Sequence, residues 1–84
     1  MIRPILCIED IYDGFNQPRH VSKIEAGMRD FKILCENTPT AEDLRLWHIG
    51  NFNTETGEIE AIKPELVMKG EKNGNQNTLA KSKN

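Results

Sequence analysis

The chain has no excess of positive charge. Its net charge is −2 and its pI about 5.6, so taken whole it does not read as a strongly basic nucleic-acid binder. No stretch approaches the ~20 apolar residues that a membrane-spanning helix needs, and a membrane partner is not expected. Arg3 and Pro4 interrupt the apolar start and the run after them is short, so no signal peptide is expected and the protein should act in the cytoplasm. There are only two cysteines, Cys7 and Cys35, both within apolar runs. That fits reduced, buried thiols in a reducing compartment, with a single disulfide as the alternative. Gly70 and Gly74 belong to no Walker or dinucleotide pattern, and there is no internal repeat.

What is present fits one small domain. Eighty-four residues allow a single core that buries roughly 60% of the unfolded surface, so homo-oligomerisation is a natural way to gain burial. Charge is unevenly placed. Residues 69–84 hold Lys69, Lys72, Lys81 and Lys83 against Glu71, which leaves five net negative charges on residues 1–68. The expectation is an acidic α+β domain over residues 1–68 and a disordered basic tail over 69–84, whose only sizeable apolar side chain is Leu79.

Residues 2–8 are apolar and rich in Ile, a strand whose start is irregular because Pro4 cannot donate to a ladder. The run from Ile5 to Ile8 lacks clean alternation, which suggests cover on both faces. Asp13 and Gly14 mark a turn, with Tyr12 and Phe15 expected to fold the loop back on the core. Ser22 and Glu25 have the spacing of a capping box. Ile24, Met28, Phe31 and Cys35 then make one apolar stripe at helical period, predicting an amphipathic helix over residues 23–36 closed by Asn37 and stopped by Pro39. Residues 44–52 read as a strand, with Leu44, Leu46, His48 and Phe52 on one parity, Trp47 and Ile49 on the other, and Gly50 a candidate bulge. Residues 53–57 read as a hairpin loop closed by Gly57 in the left-handed region, and residues 58–62 as a half-exposed strand. Residues 63–68 are either extended or a helical turn. The predicted fold is α+β: a small three-stranded sheet in the order strand, helix, strand, strand, with the helix packed on one face.

Catalytic chemistry has little to stand on. His20, His48, Cys7 and Cys35 lack the paired spacing of a zinc site, so no metal or other cofactor is expected. Cys7 and His48 are the one conceivable nucleophile and base, yet Cys7 lies in a strand where a buried thiol is inert. The carboxylates of Glu9, Asp10 and Asp13, and of Glu55, Glu58 and Glu60, read as solvated loop charge. No enzyme is expected. Binding is the open question: Arg19, Lys23, Arg29, Lys32 and Arg45 could line a basic patch, with Trp47, Tyr12 and Phe15 as stacking platforms, against the plainer reading of core aromatics and solvated charge.

Three segments carry a family resemblance. They are residues 8–18, around Asp10, Asp13-Gly14-Phe15 and Pro18; residues 26–31, with Arg29 and Phe31; and residues 46–59, an Ile49-Gly50-Asn51-Phe52 strand running into Glu55-Thr56-Gly57. Over about residues 2–68 the chain resembles the small non-structural protein of gokushovirus-type microviruses, which are tailless single-stranded DNA phages. It departs in a short helix-to-strand link and in carrying Asn51 and Asn53 where acidic residues are common. The resemblance implies a protein absent from the mature capsid and acting in the cytoplasm of the bacterial host. By analogy with the corresponding protein of other microviruses, it implies help in switching viral DNA synthesis toward single-strand production and packaging into the procapsid. The expected contacts to viral DNA, single-stranded for preference, are Arg29, Lys32, Arg45, Trp47, Lys81 and Lys83. The alternative is a protein adaptor that binds a phage replication or procapsid protein, or a host factor, without touching nucleic acid.

Overall fold

Strand β1 (Ile2–Asp10) is the apolar run at the chain's start, and β-branched side chains on a pleated, two-faced surface account for it. The computed structural model describes residues 1–71; most of the expected tail, with Lys81 and Lys83, lies outside these residues. After β1 the chain reverses at Gly14, whose φ of +94° suits only a residue without a Cβ. It returns along the outer edge of β1 as two short antiparallel pieces, β2 (Gly14–Phe15) and β3 (Arg19–His20). The sheet therefore has five strands rather than the expected three. Two-residue strands are too short to show an alternation in sequence, and Pro18 separates them.

Helix α1 (Ile24–Glu36) buries Gly27, Phe31 and Cys35 at four-residue spacing. The expected capping box does not form: Lys23 is the N-cap and makes no side-chain cap bond. Val21 is tied to the sheet through its N–H to the Pro4 carbonyl, and the carbonyl of Lys23 accepts the N–H groups of Ala26 and Gly27. Asn37 and Thr38 close the far end, donating from Nδ2 to the Ile33 carbonyl at 2.9 Å and from Oγ1 to the Leu34 carbonyl at 2.7 Å. Gly27 is the point of close approach, since a Cβ there would overlap the Leu6 side chain.

A 3-10 turn (Ala41–Asp43) leads into β4 (Leu44–Asn53), which lies antiparallel beside β1. β3 and β4 thus flank β1 and run in the same direction, with α1 carrying the chain from one to the other. A tight hairpin joins β4 to β5 (Ile59–Lys69). There Asn53 Oδ1 accepts the N–H groups of Glu55 and Thr56 at 2.9 and 3.3 Å, and Gly57 takes φ +79° as expected. Residues 63–68 extend β5 instead of turning helical. Pro64 is tolerated because β5 is an outer strand whose register shifts between His48 and Gly50. Gly70 then donates its N–H to the Leu44 carbonyl at 2.8 Å.

The core lies between α1 and one face of the sheet. Leu6, Val21, Phe31, Cys35, Ala41, Leu44 and Leu46 are buried, with Ile8, Ile24, Met28, Val67 and Met68 packed against them. Burying a side chain such as Leu6 or Phe31 contributes roughly 1.5–3 kcal/mol.

Candidate functional site

Side chains on neighbouring strand positions point to opposite faces. Leu6 and Ile8 of β1, with Leu44 and Leu46 of β4, meet the helix. Arg3, Ile5, Cys7 and Glu9 of β1, with Arg45 and Trp47 of β4, therefore point the other way. A register shift places Ile5 opposite Gly50 and Leu6 opposite His48, leaving Ile49 as the extra residue. That bulge resets the alternation, so Phe52 joins the face of Trp47 rather than that of Leu46. The strict parity expected from the sequence fails at this point. Cross-strand pairing adds Phe15 opposite Glu9, His20 opposite Ile5, and Leu66, Lys69 and Ile59 opposite Trp47, Arg45 and Phe52.

No helix among the described residues covers this second face. Phe15 is 52% exposed, Leu66 44% and Ile59 69%. The expectation that Tyr12 and Phe15 fold back on the core is overturned: Tyr12 stands 79% exposed on its turn, and Phe15 lies against Trp47 on the open face. Cys7, by contrast, is buried on this side, where its thiol donates to the Asn16 carbonyl at 3.0 Å.

At one end of the face three side chains converge. The Trp47 indole N–H donates to Glu9 Oε1 at 2.8 Å, and the Arg45 guanidinium lies 3.7 Å from the same oxygen. The Phe15 ring sits with its centroid 6.2 Å from that of Trp47, tilted by 50°. At the other end the His20 and Phe52 rings lie 5.1 Å apart and 33° from parallel, with Arg3 paired across the strands to Phe52. The face thus offers two pairs of rings and, from the register, Arg3, Arg45 and Lys69 against Glu9. Flat π-surfaces flanked by cations can stack bases and hold phosphates.

The expected site residues separate into groups. Arg45 and Trp47 come together on Glu9. Arg29 and Lys32 sit together on the exposed side of α1, beside Glu25, Met28, Ile33 and Glu36, with the core between them and the open face. Arg19, part of the wider basic patch, is engaged with Asp30 at 3.2 Å. Lys81 and Lys83 lie outside the described residues. Glu9, Arg3, His20, Phe52 and Lys69 were not singled out from the sequence as nucleic-acid contacts. No local pattern marks them, because only the strand register brings them to one face.

The other chemistry considered from the sequence is not assembled at one point. His48 lies on the face opposite Cys7, its Nε2 3.0 Å from Asn51 Oδ1 and its Nδ1 3.7 Å from Glu65. Burial pushes both the Cys7 and Cys35 thiols above their ordinary pKa, against a weaker opposing pull from backbone hydrogen bonds. Both are free thiols. No helix among the described residues is long and apolar enough to cross a membrane, and no three metal-ligating side chains cluster among them.

One helix laid on an antiparallel sheet, with the far sheet face carrying paired rings and basic side chains, defines a small α+β protein. The family model described as Phage ORF5 protein matches residues 4–73. The chain belongs to that phage protein family. No curated protein and no solved structure matches it.

Proposed function

We propose that this phage accessory protein binds single-stranded DNA across the open face of its sheet and has no enzymatic activity. It would work in the cytoplasm of the bacterial host as the small non-structural protein of a gokushovirus-type microvirus, helping couple viral DNA replication to single-strand production and packaging. The observation that carries the DNA reading is the convergence of Trp47, Phe15 and Arg45 on an uncovered sheet face. A base stacked on Trp47 gains about 1–3 kcal/mol, and Arg45 can exchange the Glu9 carboxylate for a backbone phosphate. Duplex DNA has its bases already stacked on one another and cannot use the rings in this way. Family membership and the sequence resemblance support the phage role.

The test is the fluorescence of the full-length chain, in which Trp47 is the sole tryptophan, titrated with a twelve-residue oligothymidine and with a duplex of equal length. The proposal expects quenching by the single strand, weaker quenching by the duplex, and loss of the response as salt rises. Replacing Lys81 and Lys83 by Gln measures what the tail adds. Unchanged Trp47 emission and no change in oligonucleotide anisotropy at low salt would remove DNA from the account.

A second reading has its own observation. The outer strand β5 exposes Ile59 and Leu66, and residues 1–68 carry net negative charge, which suits docking on a phage replication or procapsid protein. Recovery of a phage protein with this chain after nuclease treatment would favour that reading.

A further inference from the structure

We infer that Arg3, His20 and Phe52 form a second nucleotide station on the same sheet face, so that the protein holds one single strand at two points. The inference rests on the DNA reading above and goes beyond it by fixing where the strand runs and how long it must be. Arg3 and Phe52 face each other across β1 and β4, and His20 arrives from β3. The His20 and Phe52 rings lie against one another at 5.1 Å, with the His20 side exposed and Phe52 half-buried. Arg3 supplies the second observation. Among the described residues its Nε–H is shut away from solvent and has no hydrogen-bond partner, and no carboxylate pairs with its guanidinium. Nε itself is out of a ligand's reach, so it is the terminal amino groups of this carboxylate-free guanidinium that would meet a phosphate. An arginine presents a planar fork that matches a phosphate, and here two rings stand beside it.

The two stations differ in one respect. Arg45 is already neutralised by Glu9 at 3.7 Å, whereas Arg3 is not. The Arg3 end should therefore contribute more of the salt-sensitive attraction, and the Trp47 end more of the stacking. Their spacing follows from the register. Phe52 is opposite Arg3 and Trp47 opposite Cys7, four positions along β1, which at a strand rise of ~3.3 Å per residue is about 13 Å. Nucleotides in a duplex strand advance about 3.4 Å each, and an unstacked strand advances further, so at most about four steps separate the stations. A dinucleotide reaches one station only.

The experiment uses the full-length chain and oligothymidines of two, three, four, six, eight and twelve residues. Trp47 emission reports the first station alone, and anisotropy of a labelled strand reports total affinity. The expected result is quenching already with the shortest strands and a step in affinity between three and six nucleotides. Arg3→Gln should remove that step, weaken the twelve-residue strand by about tenfold, as loss of a charged hydrogen bond would, and lower the salt slope by about 0.7. His20→Ala alters an exposed ring that makes no hydrogen bond among the described residues, so it tests the same station without threatening the fold, and it should reduce the step while leaving the quenching by the dinucleotide unchanged. An affinity step that persists in both variants would overturn the second station while leaving the Trp47 reading in place. Absence of quenching at every length would overturn the DNA reading and this inference with it.

Discussion

Replacing Glu9 with Gln changes one charge and almost no shape. The amide keeps an oxygen able to accept the Trp47 indole N–H, now at 2.8 Å from the carboxylate, so the ring should stay where it is. What is lost is the attraction to Arg45 across 3.7 Å. At an effective dielectric of about 20, a pair at that distance attracts by roughly 4 kcal/mol before desolvation and side-chain entropy are counted. The Arg45 and Glu9 side chains are 38% and 21% exposed, and measured values for such solvated pairs fall to about 1 kcal/mol or less. Stability should therefore drop by no more than about 1 kcal/mol in urea unfolding. DNA affinity should move the other way. A carboxylate is removed from the face, and Arg45 no longer has to leave Glu9 to meet a phosphate, so the same contact forms at lower cost. The single strand should bind severalfold tighter at low salt, the gain fading as salt shortens the Debye length toward ~8 Å. Glu9→Leu separates the roles: it frees Arg45 equally but leaves the indole N–H unpaired, at a cost of about 1–3 kcal/mol in stability. Anisotropy titrations of the wild type and Glu9→Gln, run at three salt concentrations, decide the matter. A Glu9→Gln protein that folds normally and binds no tighter, or more weakly, would show that Arg45 is not a phosphate contact.

Three further outcomes follow from the geometry. Gly70→Ala should destabilise the domain by about 1–3 kcal/mol. Its new Cβ would overlap the backbone carbonyl of Ala41, which no rotamer change can relieve; a urea midpoint equal to that of the wild type would refute this. Because burial raises both thiol pKa values above their ordinary 9.0, the native state holds those protons longer than the unfolded chain does. The thiols should then leave stability untouched below about pH 9 and lower it as pH rises beyond. The variant with both Cys7 and Cys35 changed to Ala should lose part of that alkaline slope, and in the wild type a thiol reagent at pH 8 should react at the rate of unfolding. Reversing the charge of Arg29 and Lys32 should change single-strand affinity less than Trp47→Ala does, since both stand on the far side of the core. A larger loss from the helix pair than from Trp47, in anisotropy, would move the site to α1.

The helix, both main hairpin strands and the Gly57 turn were legible in the sequence because each rests on a local signal. Ile24, Met28, Phe31 and Cys35 repeat at helical spacing, and Gly57 sits where a five-residue hairpin needs positive φ. The Ser22–Glu25 pattern misled because a capping box requires the serine to be the first residue out of the helix. The tie of Val21 to Pro4 instead leaves Lys23 in that position. β2 and β3 were missed because two residues carry no period. Of the candidate site, Arg45 and Trp47 were found through residue type and adjacency. Simple alternation puts Phe52 on the parity of Leu46, and the extra residue at Ile49 moves it to the other face. Glu9 read as one of three solvated carboxylates. Only pairing β1 with β4 places it under the indole.

The net charge and the charge on the open face differ, and the register shows how. Glu60 and Glu65 pair opposite Asn51 and His48, on the helix-side face. Asp30 is engaged with Arg19, and Glu55 lies 3.6 Å from the chain's amino terminus at the hairpin end. On the open face Glu9 stands against Arg3, Arg45 and Lys69. A phosphate at that face would meet these cations first, whereas Glu60 and Glu65 stand on the other side of the sheet. At physiological salt, fields between exposed charges fade over ~8 Å, less than the ~10 Å that separates one packed layer from the next. Net charge then governs how the molecule behaves at long range, and the local face governs what it holds. Under the proposed reading, an acidic chain would bind DNA through a face where the strand register sets Arg3, Arg45 and Lys69 against Glu9, with Glu9 given a task of its own in orienting Trp47.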